Sequence, residues 1–127
     1  MKATQEVLIS IRPEFVEKIL AVEKAYEIRK TAPMAKLPFK LYIYETKRGC
    51  GAVVAECDCV DIIESDKIDV VSKLGCLSVE KTTRYLEGGN ALLWKLENLK
   101  AYEKTLTLED FDLLKAPQSW CYIKNIK

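Results

Sequence analysis

Ile9-Ser10-Ile11-Arg12-Pro13-Glu14-Phe15-Val16-Glu17-Lys18-Ile19-Leu20 and, just beyond it, Glu23-Lys24-Ala25-Tyr26-Glu27-Ile28-Arg29-Lys30 together decide the reading of this chain. The apolar run Val7-Leu8-Ile9-Ser10-Ile11 predicts a first strand. Pro13 then opens a helix, because proline suits the first helical position, where its missing N–H costs nothing. Glu14 and Glu17 favour the positive end of the helix dipole, and Phe15, Val16, Ile19 and Leu20 recur at helical spacing as one apolar stripe. The helix should end near Val22. Residues 26–30 alternate as a second short strand, so Glu27 and Arg29 share one face while Tyr26, Ile28 and Lys30 take the other. Lys24 lies in the tight connection just before.

The pattern continues outward in short elements. Residues 31–38, with two prolines, form a loop; residues 41–44 form a third strand, and residues 47–51 the turn after it. Residues 52–63, rich in Val, Cys and Ile, suit a central strand. Two helical patches follow, residues 68–74 stopping at Gly75 and residues 78–87 stopping at Gly88-Gly89, with Ser78 as N-cap of the second. Residues 91–99 return to strand and 102–105 continue the sheet. Residues 108–111 make a short helical turn, and residues 117–123 close the chain as a terminal strand. About six strands with an early helix imply an α+β fold. The expected form is a small curved sheet or β-barrel with a long N-terminal helix at its mouth and short helices between later strands. With 127 residues and no repeat, low-complexity stretch or Gly/Ser linker, a single domain over 1–127 is expected.

Composition narrows the chemistry. The apolar runs are too short to span a bilayer, and the start shows no signal-peptide pattern, so a cytoplasmic protein with no membrane role is expected. There is no histidine, which removes Ser-His and Cys-His nucleophilic pairs and histidine metal ligands. Any acid–base chemistry falls to Lys, Glu, Asp, Tyr or Cys with a shifted pKa. The five cysteines (Cys50, Cys57, Cys59, Cys76, Cys121) contain no CxxC and read as reduced side chains. Cys57 and Cys59 lack a second pair to complete a zinc site. The acidic stretch from Glu56 to Asp69 reads as a solvated strand edge and helix start, so neither metal nor cofactor is predicted. Residues 1–48 carry ten basic against six acidic residues, a net of +4; residues 49–127 carry ten against thirteen, a net of −3. The basic first third suits a polyanion better than the overall charge does.

Lys24, Glu27 and Arg29 form the candidate cluster. Held on a strand beside a helix start, they suit a phosphate or carbonyl oxygen, with Arg29 as a planar fork and Lys24 as a point charge. The competing reading is a surface ion pair of Glu27 with Arg29 or Lys24. Trp94 reads as core. Trp120, flanked by Gln118 and Ser119, is the better wall for a ligand.

These stretches resemble the ASCH domain family of the PUA-like superfamily, in particular its small bacterial and phage members. The resemblance rests on Ile9-x-Ile11-Arg12-Pro13-Glu14 and Glu23-Lys24-x-Tyr26-Glu27-x-Arg29-Lys30. It continues through residues 41–47, 51–57, 77–80 and 92–102 to Ala116-Pro117-Gln118-Ser119-Trp120-Cys121-Tyr122. It implies a β-barrel with a cleft against the first helix that binds RNA, a nucleotide or a nucleoside. The cleft would be lined by Arg12 and residues 24–30 and bordered by Tyr44 and Thr46. Lys24, Arg29 and Lys30 would meet phosphate, Glu27 would accept from a base or sugar donor, and Gln118, Ser119 and Trp120 would shape the wall. Some members are amidohydrolases of modified cytidine and others are linked to RNA cleavage. That implies an alternative, a small hydrolase with Lys24 and Glu27 as catalytic groups. Three departures stand out. Glu27 replaces the threonine of the deacylating members, Lys95 replaces a common histidine, and Val22 replaces a glycine before the Glu-Lys pair. Valine is strained at positive φ, so the Lys24 loop is expected to take another shape. Lys24 and Arg29 are expected to be exposed, and their alanine variants to leave stability nearly unchanged.

Overall fold

The structure is a computed structural model that describes residues 5–123. Its elements are β1 (Glu6–Ile11), α1 (Pro13–Leu20), β2 (Tyr26–Arg29), β3 (Phe39–Glu45), β4 (Ala52–Ser65), α2 (Ile68–Gly75), α3 (Val79–Leu86), β5 (Ala91–Leu106), a 3-10 turn (Leu108–Phe111) and β6 (Trp120–Ile123). The strands form one mixed sheet in the order β2-β5-β4-β3-β1-β6. β1 and β3 run parallel, and the other neighbours are antiparallel. The α+β class stands, but the expected barrel does not close: β2 and β6 are the two ends of the sheet and no ladder joins them. The gap is bridged instead by a side chain. Arg29 of β2 reaches the carbonyl of Ser10 in β1 at 2.7 Å and the hydroxyl of Ser119, just before β6, at 2.8 Å.

The first helix is not long either. It has eight residues, the same as α2 and α3. Its N-terminus is made by Pro13 after an extended Arg12, as the sequence required. Its C-terminus is closed by two backbone bonds, Glu23 N–H to the Lys18 carbonyl at 2.9 Å and Val22 N–H to the Ile19 carbonyl at 3.0 Å. This is a Schellman closure, which needs a left-handed residue after the cap. Val22 fills that position with φ 62°, so the expected change of loop shape does not occur. The valine adopts the glycine conformation because the turn is held by its hydrogen bonds, and the strain is carried by a side chain that is 80% exposed.

Gly75 has a different use from the one its sequence position suggested. The left-handed residue that ends α2 is Cys76, with φ 57°, while Gly75 is still helical. A Cβ at Gly75 would collide with Cδ1 of Ile28 on β2, so glycine here permits close approach of helix to strand. Ser78 caps α3 as expected, accepting from the Lys81 N–H at 3.1 Å. β5 runs unbroken through the two expected segments, with Asn98 in a left-handed conformation at the junction.

Strand alternation sorts the apolar residues between the faces of the sheet. Val7, Ile9, Ile11, Leu41, Ile43 and Trp94 pack with Val16 and Ile19 of α1. Leu8, Tyr44, Val53 and Ile123 gather with Phe111 of the 3-10 turn. Ile28, Ala91 and Leu93 pack with Val71 of α2 and Leu86 of α3. β2 therefore packs on the α2–α3 pair, and Phe15 of α1 faces it across a cavity.

Candidate ligand cleft

Two adjoining cavities of about 300 Å³ and 460 Å³ share Arg12, Phe15, Glu27, Ile28 and Tyr85, and so form one cleft between α1, β2 and α3. Phe15 and Tyr85 supply aromatic surface, and Leu77 adds apolar surface at the α2–α3 turn. Arg12, Lys81 and Lys30 are exposed cations around it, with Glu14 among them.

At the bottom lies Lys24, not at the surface as expected but 4% exposed. Its ammonium donates to the Gly75 carbonyl at 2.7 Å, at the electronegative C-terminus of α2, and sits 5.3 Å from the centre of the Phe15 ring. Glu27 Oε1 is 3.8 Å from it. Burial pushes the Lys24 pKa below the usual lysine value, and the Glu27 carboxylate partly opposes that shift. Glu27 is 6% exposed, and its two oxygens differ. Oε2 accepts from Nη2 and Nε of Arg29 at 2.8 and 3.1 Å. Oε1 is buried and has no hydrogen-bond partner.

Arg29 is in the cleft wall, but its guanidinium is engaged on every side by Glu27, Ser10 and Ser119. Ser10 Oγ in turn donates to the Pro117 carbonyl at 2.8 Å, so the 117–119 segment is tied to β1 and β2 together. The expected exposed Arg29 is thus corrected to a half-buried strut across the sheet gap. Lys30 is at the rim, 4.6 Å from the centre of the Tyr85 ring.

Gln118 and Ser119 line the larger cavity. Trp120 does not: its indole N–H donates to Thr31 Oγ1 at 3.0 Å and its ring packs edge-on against Trp94. Tyr44 lies in the core on the opposite face of the sheet, and Thr46 follows β3 with a buried Oγ1 that has no partner; neither lines the cleft. Trp94 is fully buried, as its strand position implied. The sequence reading missed Phe15 as a cleft wall, and Lys81 and Tyr85 altogether. The i,i+4 spacing of the last two on α3 was a usable signal, but only the docking of α3 beside β2 gives it a target.

All five cysteines are unpaired, and no group of three or more potential metal-ligating side chains occurs among the described residues. No helix among them is long and apolar enough to cross a membrane.

An open mixed sheet, a short helix on its first crossover and a cleft over the second strand define the class, a small α+β protein with a polar-floored pocket at a sheet edge. The particular fold is that of the ASCH proteins. The crystal structure of ASCH from Zymomonas mobilis superposes with a TM-score of 0.80 at 23% identity, covering 94% of this chain and 87% of that one. A serine-to-alanine variant of the same protein gives a TM-score of 0.81 at 22% identity, with coverage of 98% and 92%. A tyrosine-to-phenylalanine variant gives 0.79 at 23%, with coverage of 94% and 90%. No protein-family model and no curated protein matches the chain.

Proposed function

We propose that this chain is a single-domain ASCH-family module of the cytoplasm that binds RNA by taking one nucleotide into the α1–β2–α3 cleft. The observation that carries this reading is Glu27 Oε1, a buried acceptor beside the cleft that makes no hydrogen bond and has the Lys24 ammonium 3.8 Å away. A buried polar atom left unpaired costs about 1–3 kcal/mol, which a ligand donor such as a base amino or sugar hydroxyl group would recover. Phe15 and Tyr85 offer ring faces for stacking, and Arg12, Lys81 and Lys30 are placed to meet phosphate. Arg29 acts here by fixing Glu27 rather than by touching phosphate.

Titration calorimetry with ribonucleosides, their 5′-monophosphates and a short single-stranded RNA tests this. Saturable binding that is stronger with phosphate present is expected. No binding in any of the three series refutes the reading.

One observation favours a hydrolase as the second reading. Lys24 is buried with a lowered pKa and lies 3.8 Å from Glu27, so its neutral amine is more accessible than that of a surface lysine. In that reading Lys24 takes a proton during hydrolysis of an acylated nucleoside or of RNA, with Glu27 as its partner. Chromatographic detection of product from N-acylated nucleosides and from RNA decides it, and unchanged substrate over long incubation refutes it.

A further inference from the structure

A third cavity of about 550 Å³ opens on the opposite side of the sheet from α1, against the 3-10 turn. Tyr42, Tyr102 and Phe111 line it together with Glu56, Asp110 and Lys104. The Tyr42 and Phe111 rings are 4.9 Å apart, centre to centre.

The hydrogen bonds around it run in one direction. The Tyr42 hydroxyl donates to Glu6 Oε1 at 3.2 Å, and the Tyr102 hydroxyl donates to Glu56 Oε1 at 2.8 Å. Both tyrosine protons are thereby committed to carboxylates, and the oxygens are left as acceptors. Lys40 donates to Glu56 Oε2 at 3.0 Å from the strand beside it. Asp110 uses Oδ2 to cap Thr107 and leaves Oδ1 without a partner among the described residues. The lining is therefore three aromatic rings, the Leu106 side chain and a set of acceptors, with the exposed Lys104 ammonium at the rim as its one side-chain donor.

We infer that this cavity, walled by Tyr42, Tyr102 and Phe111 over Glu56, is a binding site for a guanidinium group. The chemistry matches on three counts. Guanidinium is flat and stacks on aromatic faces. It carries five N–H donors and no acceptor, the complement of this lining, and its positive charge suits Glu56 and Asp110. An anion would find Lys104 at the rim as its one lining donor and acceptors elsewhere, so this site differs in chemistry as well as position from the α1 cleft.

The test is an amide-resolved NMR titration of the whole chain with N-acetyl-arginine amide, with the citrulline compound as neutral isostere. Saturable shifts at Tyr42, Tyr102 and Phe111 are expected with the arginine compound alone. Glu56→Gln should weaken binding about ten-fold, the loss of one hydrogen bond to a charged group. Because Glu56→Gln also disturbs Lys40 and Tyr102, Lys104→Ala is the second variant: it removes an exposed competing cation and should tighten binding several-fold. A parallel titration with Ala-Arg-Ala separates the sources. Much tighter binding of the peptide assigns the site to an arginine side chain of a protein partner, and equal binding to a free guanidinium compound. Equal response to citrulline, shifts confined to the α1 cleft, or Lys104→Ala without effect overturns the inference.

Discussion

The Lys24 ammonium and the Gly75 carbonyl meet at 2.7 Å across 51 residues of sequence, and that contact ties the loop after α1 to the end of α2. It joins the two walls of the cleft and holds a cation beside Glu27. At the same helix end Gly75, by lacking a Cβ, leaves room for Ile28 of β2.

Removing the Lys24 charge should therefore cost stability, not leave it unchanged. Lys24→Met keeps most of the volume but leaves the Glu27 carboxylate and the Gly75 carbonyl short of a partner. Breaking a buried pair on one side costs about 3–5 kcal/mol, reduced here because Arg29 still holds Glu27. A melting temperature lower by roughly 10 °C in a thermal scan is expected for a domain of this size. A variant melting with the wild type would show that Lys24 is not a structural contact.

Gly75→Ala should be destabilising through one identifiable neighbour. The new methyl strikes Ile28, an overpacking that costs about 1–3 kcal/mol. Ile28→Val deletes the colliding Cδ1, so the double variant should recover part of the loss in a double-mutant cycle of chemical denaturation. Strict additivity would mean that the strain lies elsewhere.

Val22→Gly should stabilise the protein by about 1 kcal/mol, the left-handed penalty of a residue with a Cβ less the extra freedom glycine gains when unfolded. Val22 is exposed, so little packing is lost. Urea midpoints for the two proteins measure the difference. An equal or lower midpoint for the glycine variant would contradict a left-handed turn at this position.

High pH should unfold the chain. Burial pushes the thiols of Cys57 and Cys59 from 9.0 to about 12, and burial followed by the Glu6 and Glu56 carboxylates pushes Tyr42 from 10.0 to about 12. The unfolded chain releases these protons first, so the stability they supply is intact below pH 9 and falls progressively towards pH 12. Replacing Cys57 and Cys59 with alanine should flatten the decline in melting temperature between those limits. An unchanged slope would mean that both thiols titrate normally in the fold.

Much of the fold was legible because it depends on local rules. Pro13, Ser78 and the β-branched and apolar runs of β1 and β4 each act within a few residues, and the elements fall where those residues put them. Two errors share a cause, which is that tertiary contacts overrode a local preference. Hydrogen bonds to Lys18 and Ile19 hold Val22 left-handed against its propensity, and Ile28 gives Gly75 a packing role instead of a turning one. Closure of the sheet was not readable, because it depends on whether β2 and β6 pair, and Arg29 takes the place of that ladder. The candidate site was half legible. Lys24, Glu27 and Arg29 do come together, but burial and the full engagement of Arg29 were set by Ser10, Ser119 and Gly75, all distant in sequence. Tyr85 and Lys81 reach the same cleft only through the docking of α3.

The central claim is that a nucleotide enters the cleft above Glu27 and meets the exposed cations around it. The direct measurement is an amide NMR shift map of the chain titrated with short single-stranded RNA, repeated with Arg12→Ala/Lys81→Ala and at several salt concentrations. The account predicts shifts at Phe15, Ile28, Leu77 and Tyr85, and weakening of about ten-fold or more in the double variant with its melting temperature kept. It also predicts a shallow log–log salt slope of about −1.4 for two phosphate contacts. Shifts elsewhere on the sheet, or binding that survives the double variant undiminished, would contradict it.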